Sequence, residues 1–446
     1  MAHMKIAHFS PGRTLLISYI IAIIAGTTLL ALPFARTTHI PLIDLIFSAA
    51  STTTVTGALT VPIDQFSFFG KCVILFLIQV SGIGFATISF FMMTLFVKLG
   101  LSSQMIAGQV LEIDAWQNIK KIIIFIVLST IFFESIGAAF IFGTIRHHYP
   151  FYQAIFLAIF TSVSAFCNAG MSLFPHGMQV YNHNIPFLLL LSFLITMGGL
   201  GFTTLYEVFI WSLKKITRKK RAHQLSLNSK IVLKTTMLLI SMATIIFWIL
   251  EHNNTLAGMP LGVSFVNALF TATVDRSAGF SLISINSLQM ASLFMILILS
   301  FIGSSPGSTG SGIKTTVFAV YLATVRAAIM GRQDVDIHHR RIQQEQVYKA
   351  MAIITLSLTW IAITTFFLLI TEQNWQFLDI FFEAVSAFTN LGLSTGITKH
   401  LSTIGKLFII VSMVIGRIGS LTLMLALRRH IKKQEFSYPE ERVMLS

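Results

Sequence analysis

Four short turns carry the residues whose types and spacing point to chemistry. They read Thr54-Val55-Thr56-Gly57, Cys167-Asn168-Ala169-Gly170, Arg276-Ser277-Ala278-Gly279 and Thr389-Asn390-Leu391-Gly392, and their glycines lie 113, 109 and 113 residues apart. The side chains differ widely from turn to turn, while the glycine is shared. That pattern suits a site read through the backbone. Carbonyl oxygens aimed at a common axis can replace the hydration shell of a cation. Glycine admits positive φ, which turns successive carbonyls one way. One such turn alone would be an ordinary bend. Four at matching offsets argue a duplicated module.

A second constellation lies between the apolar runs 290–300 and 317–325. Gly303-Ser304-Ser305-Pro306-Gly307-Ser308-Thr309-Gly310-Ser311-Gly312, followed by Lys314, breaks what would otherwise be one membrane helix. Its glycines and proline cannot sustain a helix. A kink needs only one or two such residues, not ten. The expectation is an intramembrane gate loop on the cytoplasmic side of the four turns, crossing the path of the ion. Lys314 would raise an electrostatic barrier or anchor the loop. Arg417, at an analogous depth in the fourth unit, would fix its closed form by hydrogen bonds. The loop hydroxyls would satisfy backbone groups or contact passing ions.

The elements that position these residues follow from composition. The chain has 446 residues, 54% hydrophobic and 11% charged, with a mean hydropathy of +0.79. Apolar runs of membrane-spanning length recur. The fold class is therefore an all-α polytopic membrane protein of four tandem helix–pore loop–helix repeats around a central pore, with eight spanning helices. The repeats fall at 14–97, 121–212, 231–325 and 349–428. Linkers 98–120, 213–230 and 326–348 join them, and 1–13 and 429–446 are the ends. The leading Met1-Ala2-His3-Met4 reads as a cloning remnant. Six residues before each turn glycine stands a hydroxyl: Ser51, Ser164, Thr273 and Ser386. Phe47, Phe160 and Phe382 share one offset, and Phe270 lies one position closer. The second long helix carries SGIGF (81–85), GGLGF (198–202) and GRIGS (416–420) in three units, and the loop stands there in the other.

The net charge of +14 sets topology. Ser212 to Lys230 holds seven basic residues and no acid. By the positive-inside rule the inter-unit linkers and both termini are cytoplasmic, and the turns open outward. Nucleic acid is not an expected partner; membrane lipid is. Cys72 and Cys167 argue neither a disulfide framework nor a metal cluster.

The four-unit module, TVTG, CNAG, the RSAGF turn, GSTGSGIKTT and the GRIGS arginine together resemble the Trk/Ktr/HKT superfamily of potassium transporters. The terminal FSYPEERVML is similar to the end of the membrane subunit of bacterial Ktr systems. The resemblance implies potassium uptake through a channel-like pore in a bacterial inner membrane. It implies a homodimer docked on a cytoplasmic nucleotide-binding ring of RCK domains, with no organic cofactor on this chain. Glycine in all four turns goes with K+ in that superfamily, with the K+ held at backbone carbonyls. Dependence on Na+ as an activator stays open. Asp275 replaces the usual proline before the third-turn arginine, and Cys167 replaces a common asparagine; either would loosen discrimination.

Arg276 is expected to point behind the turns toward an acid: Asp275, Glu383 or Asp379. Glu134 and Glu207 are expected to be paired, with a proton relay as a minor alternative. His338-His339 with Arg340-Arg341 reads as a solvated basic face. Competing classes are a sodium-conducting or cation-coupled symporter and a membrane-embedded enzyme. The symporter is disfavoured because such carriers show inverted repeats or two halves. No HExxH or GxxxxGK[ST] motif supports an enzyme.

Overall fold

The computed structural model describes residues 11–84, 119–175, 177–216 and 224–419. Phe85 and Ser420 of the glycine signatures, the first inter-unit linker up to 118, and the terminal FSYPEERVML lie outside them. Helices α1 (Pro11–Ala31), α2 (Leu42–Thr54) and α3 (Phe68–Ile83) come first. Then follow α4 (Ile119–Ile145), α5 (Phe151–Phe166), α6 (Ile185–Gly199) and α7 (Phe202–Ile216). The third group is α8 (Leu227–Glu251), α9 (Leu261–Val274), α10 (Met290–Ile302) and α11 (Thr315–Ile329). A hairpin, β1 (Asp336–Ile337) and β2 (Arg340–Arg341), precedes α12 (Gln344–Thr371), α13 (Phe377–Thr389) and α14 (Thr403–Ile418). The hairpin was not foreseen in the 326–348 linker.

Each group therefore reads long helix, short helix, turn, apolar helix. The short helices α2, α5, α9 and α13 are the centre of the molecule. Pro41, Pro150 and Pro260 stand at the N-caps of the first three, where a fixed φ leads the chain in and a missing N–H costs nothing. Phe47, Phe160, Phe270 and Phe382 are all completely buried, so the repeated phenylalanine is the anchor of each short helix. The surrounding long helices are apolar outward: Ile21 is 60% exposed and Met237 77%. An apolar exterior around a polar-lined centre suits a lipid surround.

Three apolar clusters close the groups into a ring. One joins the first, second and third groups through residues such as Ile74, Phe160, Phe187 and Phe270. Another joins the third to the fourth through Phe247, Ile296 and Phe382. A third joins the fourth back to the first through Phe47, Ile380 and Met413. A largely buried ion pair, Lys406 Nζ to Asp44 Oδ1 at 2.6 Å, reinforces that last seam.

By length and hydropathy alone, three helices of the described residues could each cross a membrane: 121–145, α8 and α12. The pair α6 and α7, bent by 104°, makes a fourth if it counts as one span. The inner apolar helices are short because each stops at a glycine with positive φ: Gly84, Gly201, Gly303 and Gly419. Ser300-Phe301-Ile302-Gly303-Ser304 thus has the same form as the other three glycine signatures. This is the place at which the sequence sets the loop in the third unit.

Candidate functional site

The four turns meet. A Cβ on Gly57 would fall on the carbonyl oxygen of Ala169, and one on Gly170 on that of Ala278. One on Gly279 would fall on Leu391 O, and one on Gly392 on Thr56 O. The contacts run from first unit to second, second to third, third to fourth, and fourth to first. That is a closed ring in chain order. All four glycines have positive φ, between 65° and 93°. In every quartet the first three residues are buried and only the glycine is partly exposed. The ring is therefore built of backbone, with Thr54, Cys167, Arg276 and Thr389 buried in the protein around it.

The hydroxyl six residues before the glycine has a structural reason. Ser164 Oγ donates to Met171 O at 2.8 Å, and Ser386 Oγ to Leu393 O at 2.7 Å. Ser51 Oγ accepts from Gly57 N at 3.1 Å. Each ties the returning strand to its own short helix. The same three units make a backbone bond from the residue before the glycine to that serine's carbonyl: Thr56 N to Ser51 O, Ala169 N to Ser164 O, Leu391 N to Ser386 O. Val55, Asn168 and Asn390 lie in the left-handed region to allow it. Valine there is strained and persists only where neighbours over-determine it.

The third turn departs from this plan. Ala278 N bonds to Val274 O, one residue closer, and Thr273 Oγ1 donates within its helix to Leu269 O. Ser277 does not take the positive φ of its counterparts. Arg276 corrects the expectation of an acidic partner. Its Nη2 donates to Gly303 O at 3.2 Å, and its Nε has no partner. Asp275 Oδ2 is likewise buried without a hydrogen bond.

The loop folds back on itself. Ser304 N bonds to Ser311 O at 2.9 Å and Thr315 N to Ser304 O at 3.0 Å. Its outer face docks on the break between α6 and α7. Ser305 N donates to Gly199 O, Thr309 N to Gly198 O, and Phe202 N to Gly307 O. The last carbonyls of α6 would otherwise lack partners. Glycine is required there because a Cβ at Gly198 would strike Phe166 O and one at Gly201 Pro306 O. The GGLGF signature is thus the seat of the loop, a role the sequence reading did not give it.

The loop also reaches the turns and the fourth unit. Ser304 Oγ lies 2.8 Å from Ser277 Oγ. Thr309 Oγ1 donates to Phe166 O at 3.1 Å and lies 3.1 Å from the Asn168 amide. Arg417 donates to Thr309 O, to Ser311 Oγ at 3.3 Å, and to Ser81 O at 2.9 Å. Lys314 Nζ bonds to Gly310 O at 2.8 Å, which ties the loop to its own end. In the ring order the second and fourth units are diagonal. The loop leaves the third unit and bonds to both. Its tip, Pro306 to Ser308, is the part left open to solvent.

Glu134 and Glu207 have neutral partners. Glu134 accepts from Gln79 Nε2 at 3.0 Å and lies 3.7 Å from Cys167 Sγ. Glu207 accepts from Ser229 Oγ at 2.8 Å and Ser226 N at 3.1 Å. Among the described residues no group of His, Cys, Asp and Glu is placed to hold a metal ion.

The model of the family "TrkH: Cation transport protein" matches residues 6–438. Ktr system potassium uptake protein B of Bacillus subtilis (strain 168) is 35% identical over 444 residues, 99% of this chain and 98% of that protein. The protein of the same description from Vibrio alginolyticus is 33% identical over 97% of this chain and 94% of its own length. The crystal structure of the potassium transporter TrkH from Vibrio parahaemolyticus has the same fold. Its TM-score is 0.76 at 19% identity, over 96% of this chain and 87% of that one.

Proposed function

We infer the function from a plain premise: the chain belongs to the TrkH family of cation transport proteins. It is a potassium uptake transporter and not an enzyme. The observation that carries the mechanism is the closed ring of four glycine turns, each glycine against its neighbour's carbonyl. Backbone oxygens of the quartets ending at Gly57, Gly170, Gly279 and Gly392 take the place of water around K+. The C-terminal ends of α2, α5, α9 and α13 point at the ring, and their partial negative charge favours a cation there. The membrane potential supplies about 2.3 kcal/mol per charge per 100 mV for inward movement.

In this reading the four groups are helix–pore loop–helix repeats, eight spans in all. The linkers and termini face the cytoplasm of a bacterial inner membrane. The loop 303–312 is the gate, with Lys314 and Arg417 as its latches. Two copies pair, and a cytoplasmic nucleotide-binding regulator of RCK type opens the loop through the basic linkers. Na+ acts, if at all, as an activator.

A second reading, conduction of sodium as well, draws on the third turn. Its backbone lacks the left-handed residue of the other three, so its carbonyls do not repeat theirs. Rubidium-86 uptake into potassium-loaded liposomes separates the two. Competition by external K+ but not Na+ is expected. Equal competition by both ions would replace the selective reading with the second.

A further inference from the structure

The helix that follows the loop, α11, is bonded into it: Thr315 N donates to Ser304 O and Thr315 Oγ1 to Ser305 Oγ. At its other end α11, the start of α8 and the β1–β2 hairpin enclose an open cavity of about 600 Å³. Lys234, Arg326 and Arg332 line it. All three are exposed, and among the described residues none has an ion-pair partner. Of the two acids in the wall, Asp334 is occupied by Arg341 and Asp336 stands in the hairpin. His338 and His339 form the hairpin tip at the same rim.

The floor is apolar: Leu322, Ala323 and Met330, with Leu322 and Met330 half exposed. Beside it Ile329 is 82% exposed. A soluble anion would use the cations and leave this floor wet. An anionic lipid uses both, its phosphate on the cations and its acyl chains on the floor and the apolar outer face. Ala327, Val335, Ile342 and Val347 pack into a small core behind the cavity, which holds the hairpin wall against α11.

We propose that this cavity binds the phosphate of an anionic phospholipid of the cytoplasmic leaflet and, through α11, steadies the closed loop. The placement in that leaflet rests on the transport reading; the binding itself is measured without transport. The purified full chain in mixed micelles is titrated with phosphatidylglycerol or phosphatidylcholine, and retained lipid is counted by native mass spectrometry. Phosphatidylglycerol is retained preferentially. Each cation removed in Lys234→Gln, Arg326→Gln and Arg332→Gln weakens retention about fivefold. Ala323→Trp fills the floor, keeps the charges, and weakens retention too. Its unchanged melting temperature separates loss of the site from loss of fold.

Three results overturn the site. The triple variant retains phosphatidylglycerol as the unaltered protein does. Or inorganic phosphate binds while phosphatidylglycerol shows no preference over phosphatidylcholine, which makes it a soluble-anion site. Or the triple variant loses a cytoplasmic regulatory protein with lipid retention unchanged, which gives the surface to a protein partner. Rubidium uptake in phosphatidylglycerol against phosphatidylcholine vesicles tests the bracing. Leak through the unaltered protein falls with phosphatidylglycerol, and that dependence vanishes in the triple variant. If the dependence survives in it, the bracing is wrong.

Discussion

Replacing Arg417 with alanine should open the loop. Two of the three bonds from Arg417 go to the loop, to Thr309 O and Ser311 Oγ; the third goes to Ser81 O in the first unit. A hydrogen bond from a charged donor contributes about 1.5–3 kcal/mol. The Ser311 contact is long at 3.3 Å and belongs at or below the low end. The two loop bonds together hold the closed form by roughly 2–4 kcal/mol. Their loss shifts the closed-to-open ratio by about 30- to 1000-fold. Rubidium-86 uptake by proteoliposomes should rise at least about tenfold until the open fraction saturates. Arg417→Lys keeps one charged donor but not the fork, so its flux should fall between. Ser311→Ala removes only the long contact, about 0.5–1 kcal/mol, and should change flux by about two- to fivefold. The Ser81 bond is not part of the loop, so its loss appears as a lower melting temperature. Flux equal to the unaltered protein in Arg417→Ala, with the fold intact, would refute the reasoning.

Removing residues 304–311 outright should raise flux beyond any point substitution in the loop; unchanged uptake would mean the loop obstructs nothing. Gly392→Ala forces a Cβ onto Thr56 O at a positive φ, so sodium should compete with rubidium in that variant, read as the ratio of half-inhibitory concentrations. Breaking the Lys406–Asp44 pair by Asp44→Asn or Lys406→Met should cost about 3–5 kcal/mol each, while the double variant should recover most of that loss; additive losses in thermal melting would show the pair is not coupled. Ser304→Ala deletes the 2.8 Å link to Ser277, and a shift of about 1 kcal/mol in loop closure, a factor of about five in leak, is expected. A leak unchanged in that variant would mean the link bears no load.

The parts of this site that repeat were legible in the sequence. The glycine offsets, the preceding hydroxyl and the phenylalanine anchor recur four times, and periodicity makes a weak signal readable. The loop was legible as a composition break, and Arg417 as its partner by depth. What escaped notice joins distant positions. Nothing local in GGLGF says that its carbonyls, freed by the helix break, accept amides from a loop 106 residues further on. Arg276 was assigned an acid because charges in membranes usually pair. It is served instead by a loop carbonyl, which a charge-matching argument does not consider. The third turn's different backbone left one trace, Phe270 standing one position closer to its glycine, while its glycine and hydroxyl keep the offsets of the others.

That third turn ties the two halves of the site together. In the first, second and fourth units the residue two before the glycine is left-handed. In the third it is Ser277, whose hydroxyl meets Ser304, while its neighbour Arg276 holds Gly303 O. So the one turn that breaks the plan of the ring bonds to the loop through two of its side chains, and the second turn meets the loop through Asn168. A backbone-read site turns its side chains into the protein, where they can meet the loop. Divergence at one position turns that packing space into a contact with the gate. Were the loop to leave, as the proposed gating requires, Ser277 and the Arg276 guanidinium would lose these partners, and the third turn could not keep its present bonding. Under the proposed gating, ion discrimination at the ring and closure by the loop would be linked through the third unit, with Ser277 and Arg276 in the link.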